Sequence, residues 1–153
     1  MQHVPSVRKW APRAPSKRLA WGLLVLFMVG MGTLHFTHTP FFMRAMPPWL
    51  PLHLEAVYLS GVCEIAGGLG LLIPRLRVAA AWGLVALFIA VFPANVYVAV
   101  AGVQLTPEPI AWWIWWARLP LQAVFIAWAW WMTRDEAEDV TGAGNIAVTT
   151  RLA

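Results

Sequence analysis

Residues 110–132 read IAWWIWWARLPLQAVFIAWAWWM, a stretch with a single charged side chain, Arg118. Its tryptophans fall into two groups: Trp112, Trp113, Trp115 and Trp116 at one end, Trp128, Trp130 and Trp131 at the other. At a rise of 1.5 Å per helical residue, Trp112 to Trp131 covers about 29 Å, which matches the hydrocarbon thickness of a bilayer. Trp concentrates where one side of the ring meets an apolar phase and the other meets water. The pattern therefore predicts a helix that crosses a membrane and carries an aromatic belt at each interface.

Working outward, three further stretches are long and apolar enough to span a bilayer: residues 19–36, 54–73 and 78–101. With 110–132 they contain only three of the chain's eighteen charged side chains, Glu55, Glu64 and Arg118. The full chain has 153 residues, of which 60% are hydrophobic and 12% charged, and its mean hydropathy is +0.64. A soluble domain carries about 25% charged residues, so that class is excluded. The net charge of +4 comes with no basic patch interleaved with stacking aromatics beyond residue 18, and nucleic acid is not an expected partner.

The connections are short and punctuated. Thr39-Pro40 and Pro47-Pro48 mark the first, Pro74-Arg75-Leu76-Arg77 the second, and Thr106-Pro107-Glu108-Pro109 the third. Short links make neighbouring helices antiparallel. Lys and Arg in the flanking segments alternate as five, one, two, zero and two along the chain, led by Arg8, Lys9, Arg13, Lys17 and Arg18. By the positive-inside rule both termini are cytoplasmic, as four spans require. The expected fold is thus all-α: an integral-membrane four-helix bundle, up-down-up-down, over residues 19–133. A basic cytoplasmic tail (1–18) precedes it and a cytoplasmic tail (134–153) follows it. The first stretch is not read as a cleaved signal peptide, because its 18 apolar residues exceed an h-region and no A-x-A site follows. The single Cys63 allows no intramolecular disulfide and no CxxC pair.

Ionisable groups within spans are costly and point to function by default. The 54–73 stretch has nine Leu, Ile and Val residues. Together they favour insertion by roughly 3 to 5 kcal/mol, and a central ionised acid costs around 3. Glu64 nearly cancels its own helix's insertion energy, so it is either protonated or paired with a cation. Arg118 sits about 9 Å below the outer interface and Glu64 about 16 Å, an offset close to the reach of an extended Arg. A Glu64–Arg118 pair is expected, with Gln122, one turn on from Arg118, as a further partner. The alternatives are an Arg118 that snorkels outward alone or pairs with Glu55 near the surface.

His35 and Asn95 lie about 24 to 26 Å from the inner ends of their helices. Pro93 and Pro120 fall in the same half and free the carbonyls of Ile89 and Trp116. The candidate site is a polar pocket made of Glu64, Arg118, Asn95, His35, Gln122 and Glu55, with no catalytic role assigned to any of them. Its alternative is a hydrogen-bond cluster that only fixes helix register. The spacing of His35, His38, His53 and Glu55 matches no metal-binding signature, so no metal is expected. The small residues at Gly61, Gly67, Gly68 and Gly70 read as helix-packing positions, because mid-span they have no phosphate to meet.

Three strings carry a resemblance: MGTLHFTHTPFF (31–42), YLSGVCEIAGGLGLLIP (58–74) and VFPANVY (91–97). Together they resemble the DoxX family of small four-helix bacterial membrane proteins, over about Leu23 to Met132. The resemblance implies four transmembrane helices in a bacterial inner (plasma) membrane, with His35, Glu64 and Asn95 at the ends or middles of the first three. It also implies a redox setting, because relatives are linked to thiosulfate:quinone oxidoreductase subunits, methylamine dehydrogenase maturation and oxidative-stress complexes. This sequence has no cysteine pair, no haem-ligating pair and no flavin or nicotinamide fingerprint, so no cofactor is evident and an independent redox catalyst is not expected. The leading expectation is a non-catalytic membrane subunit, the partner of a redox enzyme, whose pocket holds a quinone or a lipid. The alternatives are a small membrane enzyme (a quinone-linked oxidoreductase component) or proton-coupled carrier using Glu64 and Arg118, and a purely structural bundle. The bilayer itself and a second copy of the chain are further expected partners.

Overall fold

A computed structural model describes residues 15–134, so most of the two expected tails, 1–14 and 135–153, lies outside the described residues. Within them the structure is all-helical: α1 (Pro15–Thr37), α2 (Thr39–Arg44), α3 (His53–Leu72), α4 (Arg77–Ala101) and α5 (Trp112–Thr133). The four long helices start and stop within a few residues of the expected stretches. Three of them, at Arg18–Thr37, His53–Leu72 and Arg77–Ala101, are long and apolar enough to cross a membrane. α5 has a similar length, 22 residues, but its composition is weighted to Trp and includes Arg118 and Gln122.

The boundaries have local causes. α4 ends at Gly102, whose φ of 64° is left-handed; its N–H reaches back to the Val98 carbonyl. α2 is the element that Pro punctuation alone does not reveal. Pro40 sits in its first turn, where a missing N–H costs nothing, and Thr39 Oγ1 donates to the His35 carbonyl at 2.8 Å, closing the end of α1. The first connection therefore contains a short helix instead of running as open loop.

Each long helix is antiparallel to the one it packs on. Gly32 of α1 faces Gly61, Glu64 and Ile65 of α3, and Gly68 of α3 faces Met28 and Val25. Gly67 and Gly70 of α3 face Leu84 and Ala80 of α4. A Cβ at Gly61 would stand 2.7 Å from the His35 Cβ and 3.0 Å from the Gly32 carbonyl oxygen, so only glycine permits this separation of α1 and α3. α4 packs in turn on α5. The helices succeed one another round the bundle as α1, α3, α4, α5, which sets α3 and α5 diagonally across it.

Two apolar clusters fill the interior. One joins Leu24, Met28, Leu71, Leu84, Phe88 and Met132, and the Phe27 and Phe125 rings, stacked 4.7 Å apart, bridge α1 and α5 beside it. The other holds Val98, Ala99, Leu105 and Trp115, with Phe41 and Ala45 packed against it. The outside is apolar as well: Leu26, Leu59, Ile89 and Val124 are all more than half exposed. Such continuous apolar surface suits an apolar surrounding and is foreign to a water-facing monomer.

Candidate functional site

Between the two apolar clusters lies a cavity of about 250 Å³, lined by all four long helices and by α2. His35 comes from α1, Ser60 and Glu64 from α3, Asn95 from α4, and Arg118 and Gln122 from α5; Phe42 and Met46 close the α2 side. Five of the six expected residues thus meet at one place. The sixth, Glu55, is exposed in the first turn of α3, where its charge complements the helix N-terminus, and it does not line the cavity.

Glu64 neighbours a different residue from the expected one. Its Oε2 lies 3.4 Å from His35 Nδ1, and among the described residues no ion pair joins it to Arg118. The reason is bundle order. Counting residues puts Glu64 and Arg118 at compatible heights, but α3 and α5 stand diagonally, with the cavity between them. His35 and Glu64, by contrast, are on helices drawn together at Gly32 and Gly61. Side chains on a helix lean toward its own N-terminus. Because α1 and α3 are antiparallel, His35 and Glu64 lean toward each other.

The hydrogen bonds fix several donor and acceptor roles. His35 Nδ1 is 2.9 Å from the Met31 carbonyl, which can only accept, so Nδ1 carries the proton and Nε2 is left as the acceptor of the neutral ring. The imidazole also stacks on Phe42 of α2, with ring centroids 3.7 Å apart. Gln122 Nε2 donates to the Phe88 carbonyl at 2.7 Å, so its Oε1 must be the atom that accepts from Asn95 Nδ2 at 3.0 Å. Asn95 Oδ1 then has no partner among the described residues. Ser60 Oγ donates to the Ala56 and Val57 carbonyls and keeps its lone pairs. Glu64 Oε2 is fully buried and accepts no hydrogen bond. Arg118 stands over the Trp115 ring, 5.7 Å from its centroid.

Gln122 was expected beside Arg118; it turns instead to α4, where it joins Asn95 close to the Pro93 interruption. Ser60 and Phe42 are wall residues outside the expected set. Ser60 had a usable signal, since it stands four residues before Glu64 on the same helical face. Phe42 had none, because nothing in the Pro-bounded connection announced α2.

A family model described as Domain of unknown function (DUF8561) matches residues 23–133, a span that contains every residue lining the cavity. No curated protein and no solved structure matches.

Proposed function

This chain belongs to the DUF8561 family, and from that premise we propose that it is a multi-pass protein of a bacterial plasma membrane that holds the polar head of a hydrophobic small molecule inside its bundle. In this reading α5 is a fourth span, the bundle runs up-down-up-down, and both termini are cytoplasmic, in line with the Lys and Arg distribution. The observation that carries the reading is the convergence of His35, Glu64, Asn95, Arg118 and Gln122 on one cavity within an otherwise apolar molecule. Polar groups held in a membrane interior are expensive, and here they stand around open space. The space is about 250 Å³. Sites for whole drug-sized ligands are about 300 to 1,000 Å³, so this one suits a head group whose tail remains in lipid.

A quinone or a lipid has that shape. The DoxX-like strings favour a redox setting, in which this chain is the non-catalytic membrane partner of a redox enzyme and presents or stores the ligand for it. The test is purification in a mild detergent followed by unbiased mass spectrometry of bound protein and small molecules. A near-stoichiometric amphiphile that is lost from an Ala94→Phe variant, which fills the cavity, is the expected result. Protein that is consistently bare, or that carries the same lipids in the variant, would overturn the reading.

A further inference from the structure

The cavity has a polarity that restricts its occupant. On the α1 and α3 wall the groups that line the cavity offer acceptors: the carboxyl of Glu64, a residue only 8% exposed, His35 Nε2 and the Ser60 Oγ lone pairs. On the α4 and α5 wall stand mainly donors, namely the Arg118 guanidinium and the second hydrogens of the Asn95 and Gln122 amides, with Asn95 Oδ1 an open acceptor beside them. We propose that the occupant is a neutral amphiphile whose head group bears hydroxyls, giving hydrogen bonds to the α1 and α3 wall and accepting them from the α4 and α5 wall. This rests on the reading of the cavity as a ligand site and names the chemistry that the site selects.

A hydroxyl meets both walls because it gives and accepts. A head group whose oxygens are only carbonyls or ethers satisfies Arg118 and brings no donor to His35 Nε2 or the Glu64 carboxyl, and an unpartnered acceptor held away from water carries a desolvation cost. A cationic head would meet Glu64 but also face the guanidinium of Arg118, and an anionic head the reverse; Glu64 and Arg118 are the one acid and the one strong base that line the space. The neutral diol is the class that neither wall repels. Of a quinone and its hydroquinone, it is the hydroquinone that fulfils this condition. A glycerol head fulfils it too. At about 30 Å³ per water, the volume corresponds to roughly eight waters, enough for a six-membered ring with its oxygens or for a glycerol unit.

The test compares three probes by titration calorimetry on the full chain in lipid nanodiscs, with empty nanodiscs subtracted: 4-hexylresorcinol, its dimethyl ether and 1-decanoylglycerol. A hydrogen bond to a charged or buried acceptor is worth about 1.5 kcal/mol or more, so the diol should bind about tenfold or more tightly than its ether. Whichever of the aromatic and glycerol diols binds more tightly identifies the source. The Glu64→Gln variant, which retains shape and one oxygen but adds a donor, should narrow the diol's advantage to about threefold or less. Equal binding of diol and ether, or an unchanged advantage in Glu64→Gln, overturns the hydroxyl rule while leaving a ligand cavity in place. Absence of specific heat from all three probes, or heat that persists in Ala94→Phe, overturns the ligand reading itself.

Discussion

Gln122 is the side chain through which α4 and α5 communicate. It is only 7% exposed, and both ends of its amide are engaged, one by the Phe88 carbonyl and the other by Asn95. Hydrogen bonds between helices in a membrane average about 0.6 kcal/mol and reach about 1.7 at most, because the separated helices also find partners. Gln122→Leu should therefore lower stability by about 1 kcal/mol, and Asn95→Leu by somewhat less, since it leaves the Gln122–Phe88 bond intact. The double variant should be less destabilised than the sum, with a coupling near 0.6 kcal/mol, read from unfolding midpoints in detergent. Strict additivity would mean that the Asn95–Gln122 bond contributes nothing. That both residues are special is evident from the sequence, since an amide in an apolar span calls for a partner. Which partner each finds is not, because that depends on which helices are neighbours.

At the scale of elements, the separation of α1 and α3 decides what His35 and Glu64 can do. Gly61 faces the His35 Cβ at 2.7 Å and the Phe36 ring at 2.9 Å measured from where a Cβ would stand, whereas a Cβ at Gly30 would meet nothing within 4 Å. Gly61→Ala must force the helices apart and should cost about 1 to 3 kcal/mol, as overpacking does. Gly30→Ala should be neutral or gain up to about 1 kcal/mol through helix propensity. Thermal unfolding of the two variants checks this, and equal effects would show that α1 and α3 do not approach so closely. The four long helices were legible because each is a long apolar run bounded by Pro, Gly or charge. α2 was not, since six residues beginning at Thr39-Pro40 look like a turn until Thr39 is seen to close the end of α1 and Phe42 to cover His35. The Glu64–Arg118 pairing failed for a related reason: axial height follows from counting residues, but lateral order round a bundle does not.

For the whole molecule the deciding question is whether α5 crosses the membrane. Counted by average hydropathy, three helices qualify and α5 does not. An average treats all faces of a helix alike, whereas insertion depends on what meets lipid. Arg118 and Gln122, the residues that lower the average most, both line the internal cavity, while Trp113 and Val124 on the outside are more than half exposed. The two groups of Trp then fall at the two interfaces. α5 is accordingly expected to span, which makes the number of crossings even and puts both termini on one side. This can be measured in a Cys63→Ala background carrying Ser6→Cys or Thr149→Cys, with a membrane-impermeant maleimide. Both cysteines should react in inverted vesicles and remain protected in intact spheroplasts, because five of the chain's basic residues precede Leu19 and the positive-inside rule favours the cytoplasm for such an end. Reaction of the two on opposite sides would mean three crossings. In that case Arg118 and Gln122 would reach the cavity from a helix lying along the bundle's surface, and the fourth wall of the site would be a lid and not a span.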